Sequence, residues 1–99
     1  MKSKSEILKL LGGIPEEVYD SICSSFYTEA RKNVEKLQAA IAASDYPAVV
    51  KLAHAVKGSA SNLYLEDIFE AARSLEAAAK GQDAAKIQQF FLILKSSFQ

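Results

Sequence analysis

Apolar residues recur at spacings of three and four along most of this 99-residue chain, which is the period of an amphipathic helix. The longest such stripe lies between residues 16 and 43, at positions Val18, Ile22, Phe26, Ala30, Val34, Leu37 and Ile41. The residues around them are mostly good helix formers, and no alternating run of β-branched residues competes with this pattern. The pattern therefore predicts one long helix over residues 16 to 43.

Three shorter stripes follow, each behind residues that favour a helix N-terminus. Asp45 can cap the first, with Pro47 in the first turn, where a missing N–H costs nothing. Glu66 and Asp67 open the next, since carboxylates are favourable there, and Asp83 can cap the last. The three apolar faces comprise Val49, Leu52, Ala53, Val56, Ala60 and Leu63; Leu65, Ile68, Phe69, Ala72, Leu75 and Ala79; and Ile87, Phe90, Phe91, Leu94 and Phe98. Four such helices with short loops predict an all-α fold, an antiparallel up-and-down four-helix bundle.

The N-terminal segment MKSKSEILKLLGGI predicts a short extra helix or linker over residues 1–14, ahead of a bundle over residues 16–99. It does not fit a secretory signal, because Glu6 and Lys9 interrupt its apolar run and no small-residue cleavage site follows. Nothing in the chain approaches the roughly 18 consecutive apolar residues of a membrane span. We therefore expect one domain over residues 1–99 with a cytoplasmic location, either alone or within a larger membrane-bound protein.

The charge balance and the cysteine count exclude several function classes. Twelve Lys and Arg residues offset twelve Asp and Glu residues. The charge balance therefore gives no indication of nucleic-acid binding or of direct membrane contact. The single cysteine, Cys23, cannot form an internal disulfide and has no neighbours for a zinc site. We expect a monomer that recognises its partner through local charges.

The chain has a single histidine, His54, in the second of the long predicted helices. At about 100° per residue it lies roughly 140° from Val49, at the centre of the apolar face, so it faces solvent or the bundle rim. The same arc carries Val50, Lys57, Gly58 and Ser61, and Lys51 lies on its far side. A glycine inside a helix costs about 1 kcal/mol relative to alanine, so a gain elsewhere must offset it.

This group of residues suits phosphoryl transfer to an imidazole. Neutral imidazole is a nucleophile near pH 7, and a cation such as Lys57 can stabilise phosphoryl charge. The missing side chain at Gly58 would let a partner's active site approach. Taken singly, each residue is also an ordinary surface residue. A haem or metal site at His54 is disfavoured, because no second His, Cys or inward carboxylate stands at ligand spacing.

The stretch AHAVKGSASNL resembles the phosphorylation motif of histidine-containing phosphotransfer (HPt) domains of multistep phosphorelays. That motif is roughly Ala-His-x-x-Lys-Gly-Ser, then small residues and Asn-Leu. Here it is matched by Ala53, His54, Lys57, Gly58, Ser59, Ala60, Ser61, Asn62 and Leu63. The resemblance extends over nearly the whole chain from about residue 16.

The resemblance implies a role for several residues. His54 would be the phosphoacceptor, Lys57 would stabilise the phosphate, and Gly58 would clear room for the partner. Ser61 stands where another small residue is usual. Tyr64 departs from the pattern, because many members have a glycine there, so the helix end is expected to turn differently.

The function implied is reversible phosphoryl transfer between His54 and an aspartate of a receiver domain, in a response regulator or hybrid histidine kinase. Such domains usually have no kinase activity, and this chain has no GxxxxGK[ST] sequence. We expect no cofactor or metal here; magnesium would belong to the receiver, since the sequence shows no carboxylate cluster at His54. The expected docking residues are Val50, Lys51, Ser61, Leu63 and Tyr64. A receiver-docking module without transfer and a purely structural bundle remain as alternatives.

Overall fold

The computed structural model describes residues 2–98, which form helices without a strand. In chain order these are α1 (Lys4–Leu10), α2 (Glu16–Ala42), α3 (Tyr46–Asn62), α4 (Glu66–Lys80) and α5 (Ala84–Ser96). Helix α3 packs on α2 and α4, and α5 packs on α4 and α2. The all-α prediction, including the short leading helix, is confirmed.

One core runs between the four long helices, and it contains most of the predicted apolar positions. The prediction is wrong at the start of α2, where Val18 and Ile22 are exposed and Tyr19 is buried instead. The Tyr19 hydroxyl donates a hydrogen bond of 2.8 Å to the carbonyl of Leu63, at the end of α3. Contact with α3 therefore turns Tyr19 inward and leaves the predicted stripe facing solvent in the first turns of α2.

The three connections between the long helices share one geometry. A non-glycine residue adopts a left-handed φ in each, namely 53° at Ser44, 57° at Tyr64 and 53° at Gln82. The backbone N–H of the next residue then donates a hydrogen bond to a carbonyl in the last turn of the preceding helix. These bonds run from Asp45 to the Ala40 carbonyl at 2.8 Å, from Leu65 to the Ala60 carbonyl at 2.9 Å and from Asp83 to the Ala78 carbonyl at 3.0 Å. This is the Schellman pattern, in which glycine is favoured at the left-handed position. Tyr64 thus adopts the conformation that glycine favours and turns the chain as the other two residues do, so the expectation of a different turn at this helix end is wrong.

The predicted N-terminal caps of α3 and α5 are present. The Asp45 carboxylate accepts a hydrogen bond from the Ala48 N–H at 3.3 Å, and Asp83 accepts one from the Lys86 N–H at 3.1 Å. Such a cap typically stabilises a helix by about 1 kcal/mol. The first cap fixes the start of the helix that carries His54.

The leading helix α1 lies against the start of α2. Its Ile7 side chain is buried, and Lys4 forms ion pairs with Glu16 at 2.9 Å and Asp20 at 2.7 Å. Because these pairs are exposed, they add little stability. Among the described residues, no helix is both long and apolar enough to cross a membrane.

Candidate functional site

His54 lies in the middle of α3 with its side chain directed away from the core. The side chain is 68% exposed, whereas Val49, Ala53 and Val56 on the same helix are buried. The ring Nδ1 lies 2.8 Å from Oε2 of Glu76 on α4. One side of the imidazole is therefore held by the protein and the rest faces solvent.

Glu76 is the centre of a network of charged side chains. Its side chain is only 7% exposed, and its Oε1 accepts a hydrogen bond of 2.6 Å from Lys57 Nζ. Lys80 Nζ lies 3.9 Å from Oε2, the oxygen that also contacts His54. One carboxylate from α4 thus joins three basic groups from two helices.

Small residues bring α3 and α4 close enough for this network. Ala53 and Ala60 on α3 and Ala72 and Ala79 on α4 are almost completely buried. Alanine side chains at such positions allow two helix backbones to approach, since little volume separates them. The close approach places Glu76 beside the imidazole of the neighbouring helix.

The ionisation of Glu76 fixes the proton on His54. The hydrogen bond from Lys57 lowers the pKa of the Glu76 carboxyl; burial opposes this effect, and the contact with His54 adds to it. An ionised carboxylate can only accept hydrogen bonds, so neutral His54 must carry its proton on Nδ1. The lone pair then resides on Nε2, the nitrogen that Glu76 does not engage.

Sequence analysis missed both Glu76 and Lys80, and it expected no carboxylate cluster at the histidine. The structure places one buried carboxylate, that of Glu76, beside the histidine, so the expectation that no inward carboxylate stands near His54 is wrong. Glu76 lies 22 residues from His54 along the chain, so no local spacing relates them. The feature of the sequence that could have identified Glu76 is its position on the same face of α4 as Ala72, Leu75 and Ala79. A carboxylate on a buried face requires polar partners. Within residues 2–98 no group of three or more potential metal ligands occurs.

Gly58 lies one turn after His54 on the exposed side of α3. A Cβ atom placed on it would meet no atom within 4 Å outside its own stretch of helix. Packing inside this chain therefore does not require glycine at this position. Glycine nevertheless occurs there, at a cost of about 1 kcal/mol in a helix interior. The open space at Gly58 is available to another molecule.

The remaining predicted residues differ in exposure. Lys51 and Ser61 are exposed, and Val50 and Tyr64 are half-buried. The Tyr64 ring lies beneath Lys2 Nζ, 5.6 Å from the ring centroid. The expectation for Leu63 is corrected, because its side chain is buried in the core. Leu63 directly follows α3, and its carbonyl accepts the hydrogen bond from the Tyr19 hydroxyl.

Comparison with protein families gives one match. The family model described as Hpt domain matches residues 21–97, which include every residue of the network around Glu76. No curated protein and no solved structure matches the chain.

Proposed function

This chain belongs to the Hpt domain family, and we propose that it is a phosphorelay intermediate that exchanges a phosphoryl group between His54 and an aspartate of a receiver domain. Membership of the family implies phosphotransfer within phosphorelays. The observation that supports His54 as the acceptor is its exposed ring with Nδ1 fixed by Glu76 at 2.8 Å. This arrangement leaves a nucleophilic Nε2 in solvent.

In the proposed step, the Nε2 lone pair attacks the phosphorus of the receiver's aspartyl phosphate. The N–P bond forms as the P–O bond breaks, and the aspartate leaves as a carboxylate with that electron pair. The Nδ1 proton stays in place, so the phosphorylated ring becomes cationic, and the Glu76 carboxylate offsets this charge. The reverse step returns the phosphoryl group to a receiver aspartate and restores the neutral ring.

Lys57 has two roles in this proposal. Its ammonium group holds Glu76 through a hydrogen bond of 2.6 Å, and its charge favours the negatively charged phosphoryl group nearby. Gly58 leaves the space into which the receiver's active site approaches. In-line attack needs such an approach, since reacting atoms must come within about 3–3.5 Å.

The docking surface would centre on His54. We assign Lys51, Ser61, Val50 and Tyr64 to it, with the Lys51 charge complementing an acidic receiver pocket.

The three-residue connections support an antiparallel up-and-down order of the four long helices, since short links join antiparallel neighbours. The protein would act as a cytoplasmic monomer without its own cofactor, and the magnesium ion would be bound by the receiver.

A panel of receiver domains phosphorylated on aspartate tests this function. Each is mixed with the wild-type chain or with His54→Gln, and transfer of label is followed on a seconds-to-minutes scale. The proposal predicts rapid labelling of the wild type by at least one receiver and no labelling of His54→Gln. Binding of a receiver without transfer would instead show a docking module, and neither binding nor transfer would favour a structural bundle.

A further inference from the structure

We propose that Lys80, outside the sequence motif, is a second cation that pairs with the phosphoryl group carried by His54. This inference rests on the proposed phosphotransfer function. Lys80 Nζ and His54 Nδ1 both contact the same atom, Oε2 of Glu76, at 3.9 Å and 2.8 Å respectively. The ammonium group of Lys80 is therefore a close neighbour of the imidazole.

The two lysines of the network differ in how firmly they are held. Lys57 is 24% exposed and donates a 2.6 Å hydrogen bond to Glu76. Moving it toward a phosphate would deprive a buried carboxylate of its main partner, which is costly. Lys80 is 64% exposed and lies 3.9 Å from the carboxylate, beyond hydrogen-bond distance. Lys80 can therefore turn toward a phosphoryl group while Lys57 keeps Glu76 satisfied.

The charges of the network also favour an added anion. Glu76 carries one negative charge, whereas Lys57 and Lys80 carry two positive charges. While His54 is neutral, the site thus has one positive charge in excess. A phosphoryl group on Nε2 brings negative charge to this position, and the exposed ammonium of Lys80 is the group free to meet it.

The acid dissociation of the phosphoryl group on His54 depends on this contact and can be measured directly. The full 99-residue chain is phosphorylated on His54 with phosphoramidate, a small donor that needs no receiver, and its phosphorus NMR signal is followed from pH 4 to 9. A nearby cation favours the dianion. Lys80→Met should therefore lower the acid dissociation constant of the phosphoryl group about twofold to fivefold, the range for an exposed ion pair. Lys80→Arg should retain the wild-type value.

Lys86→Met on α5 is the matched control, because it removes one exposed lysine whose side chain has no described contact with the network. The proposal requires Lys86→Met to titrate as the wild type does. A wild-type titration in Lys80→Met would overturn the inference and restrict Lys80 to a helix C-terminal charge, while receiver transfer to His54 could still succeed. If neither phosphoramidate nor any receiver labels His54, the proposed function itself fails, and this inference fails with it.

Discussion

Glu76 contacts His54 and Lys57 with its two different carboxylate oxygens, Oε2 at 2.8 Å and Oε1 at 2.6 Å. The two partners lie three residues apart on α3, and Glu76 reaches both of them from α4. The Oε2 contact orients the imidazole and determines which ring nitrogen carries the proton, while the Oε1 contact holds Lys57 beside it. The reactivity proposed for the α3 motif would therefore depend on a side chain of another helix.

Replacing Glu76 should slow phosphotransfer without removing it. Glu76→Gln keeps the shape but loses the negative charge that offsets the phosphorylated ring. A charge-assisted hydrogen bond contributes about 1.5–3 kcal/mol, so transfer should slow by about ten- to hundredfold in single-turnover measurements. Glu70→Gln, on the exposed side of the same helix, is the control and should transfer at the wild-type rate. Equal rates for both variants would show that Glu76 has no part in transfer.

The stability of the protein should depend on pH through Glu76. Its pKa is lowered in the folded state, mainly by the hydrogen bond from Lys57. Its contribution is therefore fully present above the unfolded value of 4.5 and is lost as the pH falls through the lower folded value. Urea unfolding between pH 7 and pH 3 should show a smaller loss for Glu76→Gln than for the wild type. If the free energy of unfolding fell by the same amount with pH in both proteins, the lowered pKa of Glu76 would be contradicted.

Substitutions at Gly58 should separate stability from docking. Gly58→Ala should increase the free energy of unfolding by up to about 1 kcal/mol, since helix propensity improves and the Cβ atom meets open space. Gly58→Leu should block transfer from a receiver but permit labelling by phosphoramidate, because only the receiver needs the cleared surface. Normal transfer from a receiver to Gly58→Leu would remove the reason given for this glycine.

The turn between α4 and α5 should be open to stabilisation. Gly81 has a φ of −83°, which any residue adopts, whereas Gln82 has a left-handed φ of 53°. The exchange Gly81→Ala with Gln82→Gly places glycine where that conformation favours it. It should raise the free energy of unfolding by about 1 kcal/mol without changing transfer. A destabilised double variant would contradict this reading of the turn.

The parts of the fold that were predictable arise from regularities within single helices. The orientation of His54 followed from its angle to Val49, and the caps Asp45 and Asp83 followed from residue type. Val18 and Ile22 were assigned wrongly because helical period alone cannot show where the neighbouring helix ends. Both side chains are exposed because Tyr19, which contacts the end of α3, takes the buried position instead.

The site was only partly predictable for the same reason. His54, Lys57 and Gly58 form a local motif, so their spacing identified them together. Glu76 and Lys80 join them only because the alanine-lined contact brings α4 against α3. No regularity within one helix encodes that contact, although a glutamate on the buried face of α4 indicates that a partner exists.

The identity of the phosphorylated atom tests the role of His54 most directly. A phosphorylated receiver would transfer its group to nitrogen-15-labelled protein, and NMR would assign the ring nitrogen that carries phosphorus. Because Glu76 holds Nδ1, the N–P bond is predicted at Nε2 of His54, with no signal in His54→Gln. Phosphorus on Nδ1, on another residue, or on the His54→Gln protein would contradict the assignment of His54 Nε2 as the acceptor.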